Sequence, residues 1–157
     1  MYNFIKTLTD SKDKTKLKTK EFAEVTTPLW LVQKQLDLIP SDERLNLNSK
    51  VLDPCTGDGR YLMMYLMNRL TVIKCPNDLY QAISTLHGIE LQAVNVARAR
   101  HNLYLCTKFI AQSKGLAVDF DKVKKILAKN IWQGSFIKRT KNDTHRTNQK
   151  LHPQPRL

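Results

Sequence analysis

The sequence predicts an α/β fold, in which a small parallel sheet carries helices. Two observations indicate this class. Short apolar runs alternate along the chain with longer segments whose apolar residues recur at helical spacing. The run Val51–Asp53 also ends in an acidic residue and passes through a turn containing Gly57 and Gly59 before a methionine-rich segment begins. A strand, a glycine turn and a helix in this order bring backbone N–H groups towards a nucleotide-like ligand.

Local signals define the individual elements in order. Pro28 suits the first turn of a helix and Thr27 its N-cap, and Pro40 ends that helix. Leucines four residues apart predict the helix after the glycine turn, and its methionines are expected to pack in the core. The Asn-Asp pair at 77–78 and Asp121 are expected to begin two further helices. The expected helices are residues 28–38, 60–70, 77–86, 92–109 and 121–127; the expected strands are 51–52, 87–91 and 130–133, with loops at 41–49 and 111–119.

The carboxylates near the glycine turn restrict the ligand. A phosphate cradle would avoid both Asp53 and Asp58, because like charges repel at short range. These residues suit a ligand that carries an amine or sulfonium together with sugar hydroxyls, which favours S-adenosylmethionine over NAD or ATP. A dinucleotide oxidoreductase is further disfavoured because Leu62 occupies the position of the third glycine in the Gly-x-Gly-x-x-Gly pattern.

Four segments resemble a known family in their order along the chain. Residues 53–59, Asp-Pro-Cys-Thr-Gly-Asp-Gly, resemble motif I of the N6-adenine-specific DNA methyltransferases, class I S-adenosylmethionine-dependent enzymes of gamma-like motif order. Residues 26–32, Thr-Thr-Pro-Leu-Trp-Leu-Val, resemble the segment that precedes motif I. Residues 88–92, Gly-Ile-Glu-Leu-Gln, resemble motif II, and residues 130–136, Asn-Ile-Trp-Gln-Gly-Ser-Phe, resemble motif III. The resemblance spans roughly residues 20–137.

The resemblance implies a partial Rossmann-like methyltransferase fold with three parallel strands in the order 3-2-1. It also implies S-adenosylmethionine as cofactor. Glu90 would take the ribose hydroxyls, Asp53 would lie by the methionine amine, and Ser135 would replace an acidic residue that bonds the adenine amino group. For Asp58, a role at the helix N-terminus is an equal alternative. The implied cofactor-binding residues are Thr27, Pro28, Asp53, Pro54, Cys55, Gly57, Asp58, Gly59, Glu90, Leu91, Ser135 and Phe136.

One family feature is absent from the 157 residues. The sequence contains no Asn/Asp-Pro-Pro-Tyr/Phe tetrapeptide, the motif IV that holds the target amino group and stacks on the flipped base. No catalytic residue is therefore predicted, and the chain is expected to represent the cofactor half, truncated after motif III and inactive alone. The alternatives are a non-catalytic basic nucleic-acid-binding remnant and a partner subunit whose fold is completed by a second protein chain. Because the truncated fold has no fourth strand, the first strand is expected to be an open sheet edge.

Charge is concentrated at the two ends of the chain. Residues 1–20 hold six Lys and two Asp, and residues 138–157 hold six Lys or Arg and one Asp, so the ends supply most of the formal net charge of +12. We expect a basic N-terminal arm at 1–20, a methyltransferase-like domain at 21–137 and a disordered basic tail at 138–157. Such ends predict weak, non-specific DNA binding, with solvated termini as the alternative.

The three cysteines form no Cys-x-x-Cys pair, so neither a disulfide framework nor a metal site is predicted. A reducing cytoplasm is the expected compartment. The first twenty residues lack the apolar core of a signal peptide, and no run is long enough to predict a membrane span.

Overall fold

The computed structural model describes residues 2–9 and 27–137. Its helices are α1 Tyr2–Thr9, α2 Leu29–Asp37, α3 Ser41–Leu45, α4 Arg60–Asn68, α5 Pro76–Ser84, α6 Ala93–Ser113 and α7 Phe120–Asn130, and its strands are β1 Val51–Asp53, β2 Leu86–Glu90 and β3 Ile131–Gln133. A single 3-10 turn, Arg69–Thr71, follows α4. No helix of these described residues is long and apolar enough to cross a membrane.

The three strands form one parallel sheet with β2 in the centre. Val51 of β1 pairs with Leu86 of β2, and Gly88 of β2 pairs with Ile131 of β3. This confirms the α/β class, the parallel pairing and the predicted 3-2-1 order. Within the described ranges β1 has a hydrogen-bonded neighbour on one side only.

The two faces of the sheet differ in cover. Side chains alternate between faces along each strand, so Leu86 and Gly88 of β2 belong to one face, and Ile131, which pairs with Gly88, belongs to the same face. Leu86 and Ile131 are fully buried against the helices. On the other face, Leu52 and Trp132 keep 49% and 44% of their surface exposed, although Ile89 between them is buried. One apolar face of a parallel sheet is thus only partly covered, where most parallel sheets are covered on both.

Helix α4 forms the centre of the core. Its residues from Leu62 to Met67 are all buried, which confirms that the methionines pack internally. Helix α1 contacts α4 and α6: Ile5 is fully buried, and the Phe4 ring stacks on Phe109 with centroids 4.3 Å apart. The beginning of the expected N-terminal arm is therefore a helix packed on the body. Residues 10–20 of that arm and the predicted tail at 138–157 lie outside the described residues.

Several predicted boundaries were wrong. The predicted loop at 41–49 contains α3, which begins after Pro40. Two acidic residues lie in its first turn, where their negative charges interact favourably with the helix dipole. Helix α6 continues to Ser113, into the predicted loop at 111–119. Helix α7 is capped by Asp119 rather than Asp121, since the Asp119 carboxylate accepts the N–H groups of residues 121 and 122. At α2 the N-cap position is Pro28, so Thr27 lies one residue too early and makes no side-chain cap.

A buried arginine joins the segment before β1 to the sheet. Arg69 is 0% exposed, and its guanidinium lies 4.6 Å from the Tyr65 ring centroid. It donates to the carbonyls of residues 44, 46, 49 and 82 and to the Thr85 hydroxyl. These bonds satisfy a buried guanidinium without a carboxylate and connect the loop before β1 to the end of α5.

Candidate functional site

The glycine turn between β1 and α4 has the conformation that its glycines permit. Gly57 and Gly59 have φ values of 55° and 85°, in the left-handed region that other residues rarely adopt. A Cβ on Gly59 would lie 3.2 Å from the Cα of Ala99, so this glycine lets the turn approach α6 closely. A Cβ on Gly57 would meet nothing nearer than a carbonyl at 4.0 Å. The backbone at Gly57 therefore lies beside open space, where a ligand can reach it.

Thr56 fixes the turn to the sheet. Its backbone N–H donates to the Ile89 carbonyl (3.0 Å), and its hydroxyl donates to the Asp53 carbonyl (2.9 Å). The side chain lies over Gly88 so closely that a Cβ there would be 2.3 Å from Thr56 Oγ1. Gly88 is thus required by the packing of the turn on β2.

Glu90 connects the end of β2 to the glycine turn. Its Oε2 accepts the Gly57 N–H and its Oε1 accepts the Gln92 N–H, both at 2.9 Å. The Glu90 carbonyl accepts the N–H of Gly134, which extends the pairing with β3. Glu90 is 9% exposed, and its carboxylate pairs with no Lys or Arg within the described residues. Each carboxylate oxygen can accept more than one hydrogen bond, so Glu90 retains acceptor capacity for a further donor.

Asp53 lies at the end of the adjacent strand. Its Oδ1 accepts the Cys55 N–H at 3.1 Å. Burial raises the pKa of Asp53 above its usual value, and the negative charge of Glu90 raises it further, while the Cys55 hydrogen bond opposes the shift. No Lys or Arg side chain of the described residues forms an ion pair with Asp53. Two carboxylates that repel one another therefore face the same edge of the sheet, where a positively charged group would be stabilised.

Asp58 has a different environment from the other two acids. It forms a two-pronged ion pair with Arg60, with distances of 2.6 Å to Nη2 and 3.0 Å to Nε. The third arm of Arg60 donates to the Thr27 carbonyl at 2.7 Å. Asp58 is 6% exposed, and its backbone carbonyl accepts the side chain of Asn102. Its charge is balanced internally, which favours the structural alternative for this residue and leaves Asp53 and Glu90 as the unbalanced pair.

The remaining predicted residues are mostly exposed, and one of them is connected to the glycine turn. Thr27 is held near the turn through Arg60, and Pro28 follows it on the surface. Leu91 and Phe136 are 56% and 61% exposed, so neither is used by the core. The Ser135 hydroxyl donates to the Ile137 carbonyl. Pro54 and Cys55 are both exposed residues of the turn.

Three contributing residues escaped the sequence reasoning. The turn is held by the ion pair of Arg60 with Asp58, by the hydrogen bond from the Thr56 hydroxyl, and by the hydrogen bond from the Asn102 side-chain amide. The spacing Asp58-Gly59-Arg60 is visible in the sequence, but a pair two residues apart becomes an ion pair only when the turn folds back. Asn102 is 44 residues from its partner, and no local pattern identifies it.

The described part of the chain contains no cluster of three or more His, Cys, Asp or Glu residues placed to hold a metal ion. Comparisons with protein-family models, with curated proteins and with solved structures found no match to this chain.

Proposed function

We propose that the chain binds S-adenosylmethionine at the carboxyl edge of its sheet, as the cofactor-binding portion of an adenine-specific DNA methyltransferase. The observation that carries this proposal is the pair of adjacent strand-end carboxylates, Asp53 and Glu90, neither of which has a cationic partner within the described residues. A ligand with positive charge and hydroxyl donors suits such a pair, whereas a phosphate does not.

The residues present fit this cofactor. Glu90 would accept the two ribose hydroxyls with the lone pairs that the Gly57 and Gln92 amides leave free. Asp53 would attract the ammonium group, which would also relieve its repulsion with Glu90. The open side of Gly57 permits close approach to the backbone, and the exposed Leu91 side chain offers an apolar surface for the adenine ring.

When bound, the cofactor would supply the methyl group for transfer to adenine N6. This chain's contribution is to bind and orient it: the Glu90 hydrogen bonds hold the glycine turn, and Arg60 holds the Thr27 segment against that turn. Because the sequence contains no Asn/Asp-Pro-Pro-Tyr/Phe tetrapeptide, we expect no methyl transfer by the chain alone.

Calorimetric titration with S-adenosylmethionine tests the proposal. Wild type should bind weakly, Asp53→Asn should bind less well, and Glu90→Gln should lose most of the affinity. Asp37→Asn, which changes an exposed acid paired with Arg44 on α2, is the matched control and should bind as wild type. Equal affinity of wild type and both site variants, with all proteins folded, would refute the assignment of the carboxylate pair.

A second candidate function is that of a subunit completed by another chain. The specific observation is the open side of β1, where Leu52 is half exposed and has no strand neighbour within the described residues. Amide hydrogen exchange at Leu52 tests it. The Val51 N–H already bonds to the Thr85 carbonyl on the β2 side, and alternate N–H groups point to opposite sides of a strand, so an added strand would slow exchange at residue 52. A monomer in which the Leu52 amide is already protected would contradict this candidate.

A further inference from the structure

Lysines gather at the amino end of the sheet, opposite the edge that carries Asp53 and Glu90. The Val51 N–H donates to the Thr85 carbonyl, which places Lys50 beside the start of β2. The Asn130 side chain donates to the Ser84 carbonyl at 2.9 Å, which places Lys129 beside the same point from the β3 side. Two ammonium groups thus flank the amino end of the central strand.

Helix α7 extends this basic surface. Lys122, Lys125 and Lys129 recur at intervals of three and four residues, which puts them on one face of the helix over about 10 Å at 1.5 Å per residue. All three are exposed, while Val123 and Leu127 bury the opposite side. We define the basic band as Lys50, His87, Lys122, Lys125 and Lys129.

The lysines of the band form no ion pair within the part of the chain that the structure describes. Lys124, which lies outside the band, is paired with Asp121 at 3.0 Å. Lys122 lies 3.9 Å from the Tyr80 ring centroid, which holds its position without removing its charge. Burial lowers the pKa of His87, and the positive charges of Lys50 and Lys129 lower it further, so both ammonium groups act on the same site.

We propose that the basic band binds the phosphate backbone of a nucleic acid. An array of unpaired cations along about 10 Å can contact successive phosphates of one strand. The contacts carry no sequence information, because they involve phosphates rather than bases. This surface is separate from the carboxyl edge, so it does not depend on cofactor binding and stands or falls independently of the proposed function.

The test is salt-dependent binding of a short mixed-sequence DNA duplex to the full-length chain. Lys125→Gln/Lys129→Gln should lower the slope of log affinity against log salt by about two, since each lost phosphate contact removes about 0.9. Lys34→Gln/Lys114→Gln is the matched control: both residues are exposed, Lys34 lies on α2 and Lys114 is the C-cap residue of α6, and the two substitutions change the net charge equally. The control should retain the wild-type slope, and all three proteins should unfold at the same temperature.

A second measurement reports from the band itself. Bound phosphates should raise the pKa of His87 in an NMR titration, opposite in direction to the effect of Lys50 and Lys129. The DNA-induced change should shrink in Lys125→Gln/Lys129→Gln. Equal slopes for the two double variants, or DNA binding that leaves His87 unchanged, would overturn the proposal and assign DNA binding to other basic residues of the chain. Equally tight binding to vesicles of anionic lipid would also overturn it, by showing attraction to any negative surface.

Discussion

Gly88 provides the most direct test of how the glycine turn is held on the sheet. A Cβ at this position would lie 2.3 Å from Thr56 Oγ1, about 1.1 Å short of the 3.4 Å at which ordinary contact begins. Thr56 is 3% exposed and its hydroxyl donates to the Asp53 carbonyl, so its side chain cannot turn away without losing that hydrogen bond. Gly88→Ala must therefore displace Thr56, the turn or β2.

The expected magnitude follows from two opposing contributions. Overpacking a well-packed site costs about 1–3 kcal/mol, and restricting the unfolded chain by replacing glycine returns about 0.4–1 kcal/mol. We expect Gly88→Ala to lower the free energy of unfolding by about 1–2 kcal/mol. For a chain of this size that corresponds to a fall in Tm of about 2–8 °C.

Thr56→Ala is the partner substitution. Alone it removes one hydrogen bond and should cost about 1 kcal/mol. In the double variant both short contacts with Oγ1 and Cγ2 disappear, and the next neighbour of the new Cβ is Ile131 Cδ1 at 3.1 Å. The double variant should therefore be no less stable than Gly88→Ala, which gives a coupling of about 1–2 kcal/mol in a double-mutant cycle.

Chemical denaturation of the four proteins measures this coupling. Gly115→Ala is the control, because Gly115 has a φ of 63° but no atom within 4 Å of a built Cβ. Its cost is backbone strain alone, and Thr56→Ala should not change it. Additive effects of Gly88→Ala and Thr56→Ala would refute the contact as the reason for glycine at this position.

Three further predictions concern single groups. Burial and the charge of Glu90 raise the pKa of Asp53, so the folded protein binds the carboxyl proton more tightly than the unfolded chain does. The contribution of Asp53 to the free energy of unfolding should therefore fall as the pH rises from 3.8 through the raised pKa. Asp53→Asn should lack that fall when unfolding is measured across the same pH range. Arg69→Met should lower the free energy of unfolding by about 3 kcal/mol or more in chemical denaturation, because buried carbonyls lose their donor, and a loss below about 1 kcal/mol would contradict this role. Cys55 and Cys75 are exposed, whereas burial raises the pKa of Cys106 to about 12, so a thiol reagent should label two cysteines in the native protein and the third only after unfolding.

The sequence alone determined the parallel α/β class and the position of the glycine turn, whereas the strand order was expected from the family resemblance. The class and the turn follow from local causes: Gly57 and Gly59 permit the turn, the leucine and methionine spacing defines α4, and strand–helix alternation imposes parallel pairing. The resemblance to adenine methyltransferases rests on the same segments and remains a proposal.

Tertiary structure alone decided how the charges are distributed. The sequence places three acids, Asp53, Asp58 and Glu90, near the turn, and only the fold shows that Arg60 neutralises Asp58 while the other two repel each other. The convergence of Lys50 and Lys129 on the start of β2 likewise depends on hydrogen bonds between distant segments. Charge interactions act through space over several ångströms, so residues far apart in sequence determine which carboxylate is free to meet a ligand and which lysines form one surface.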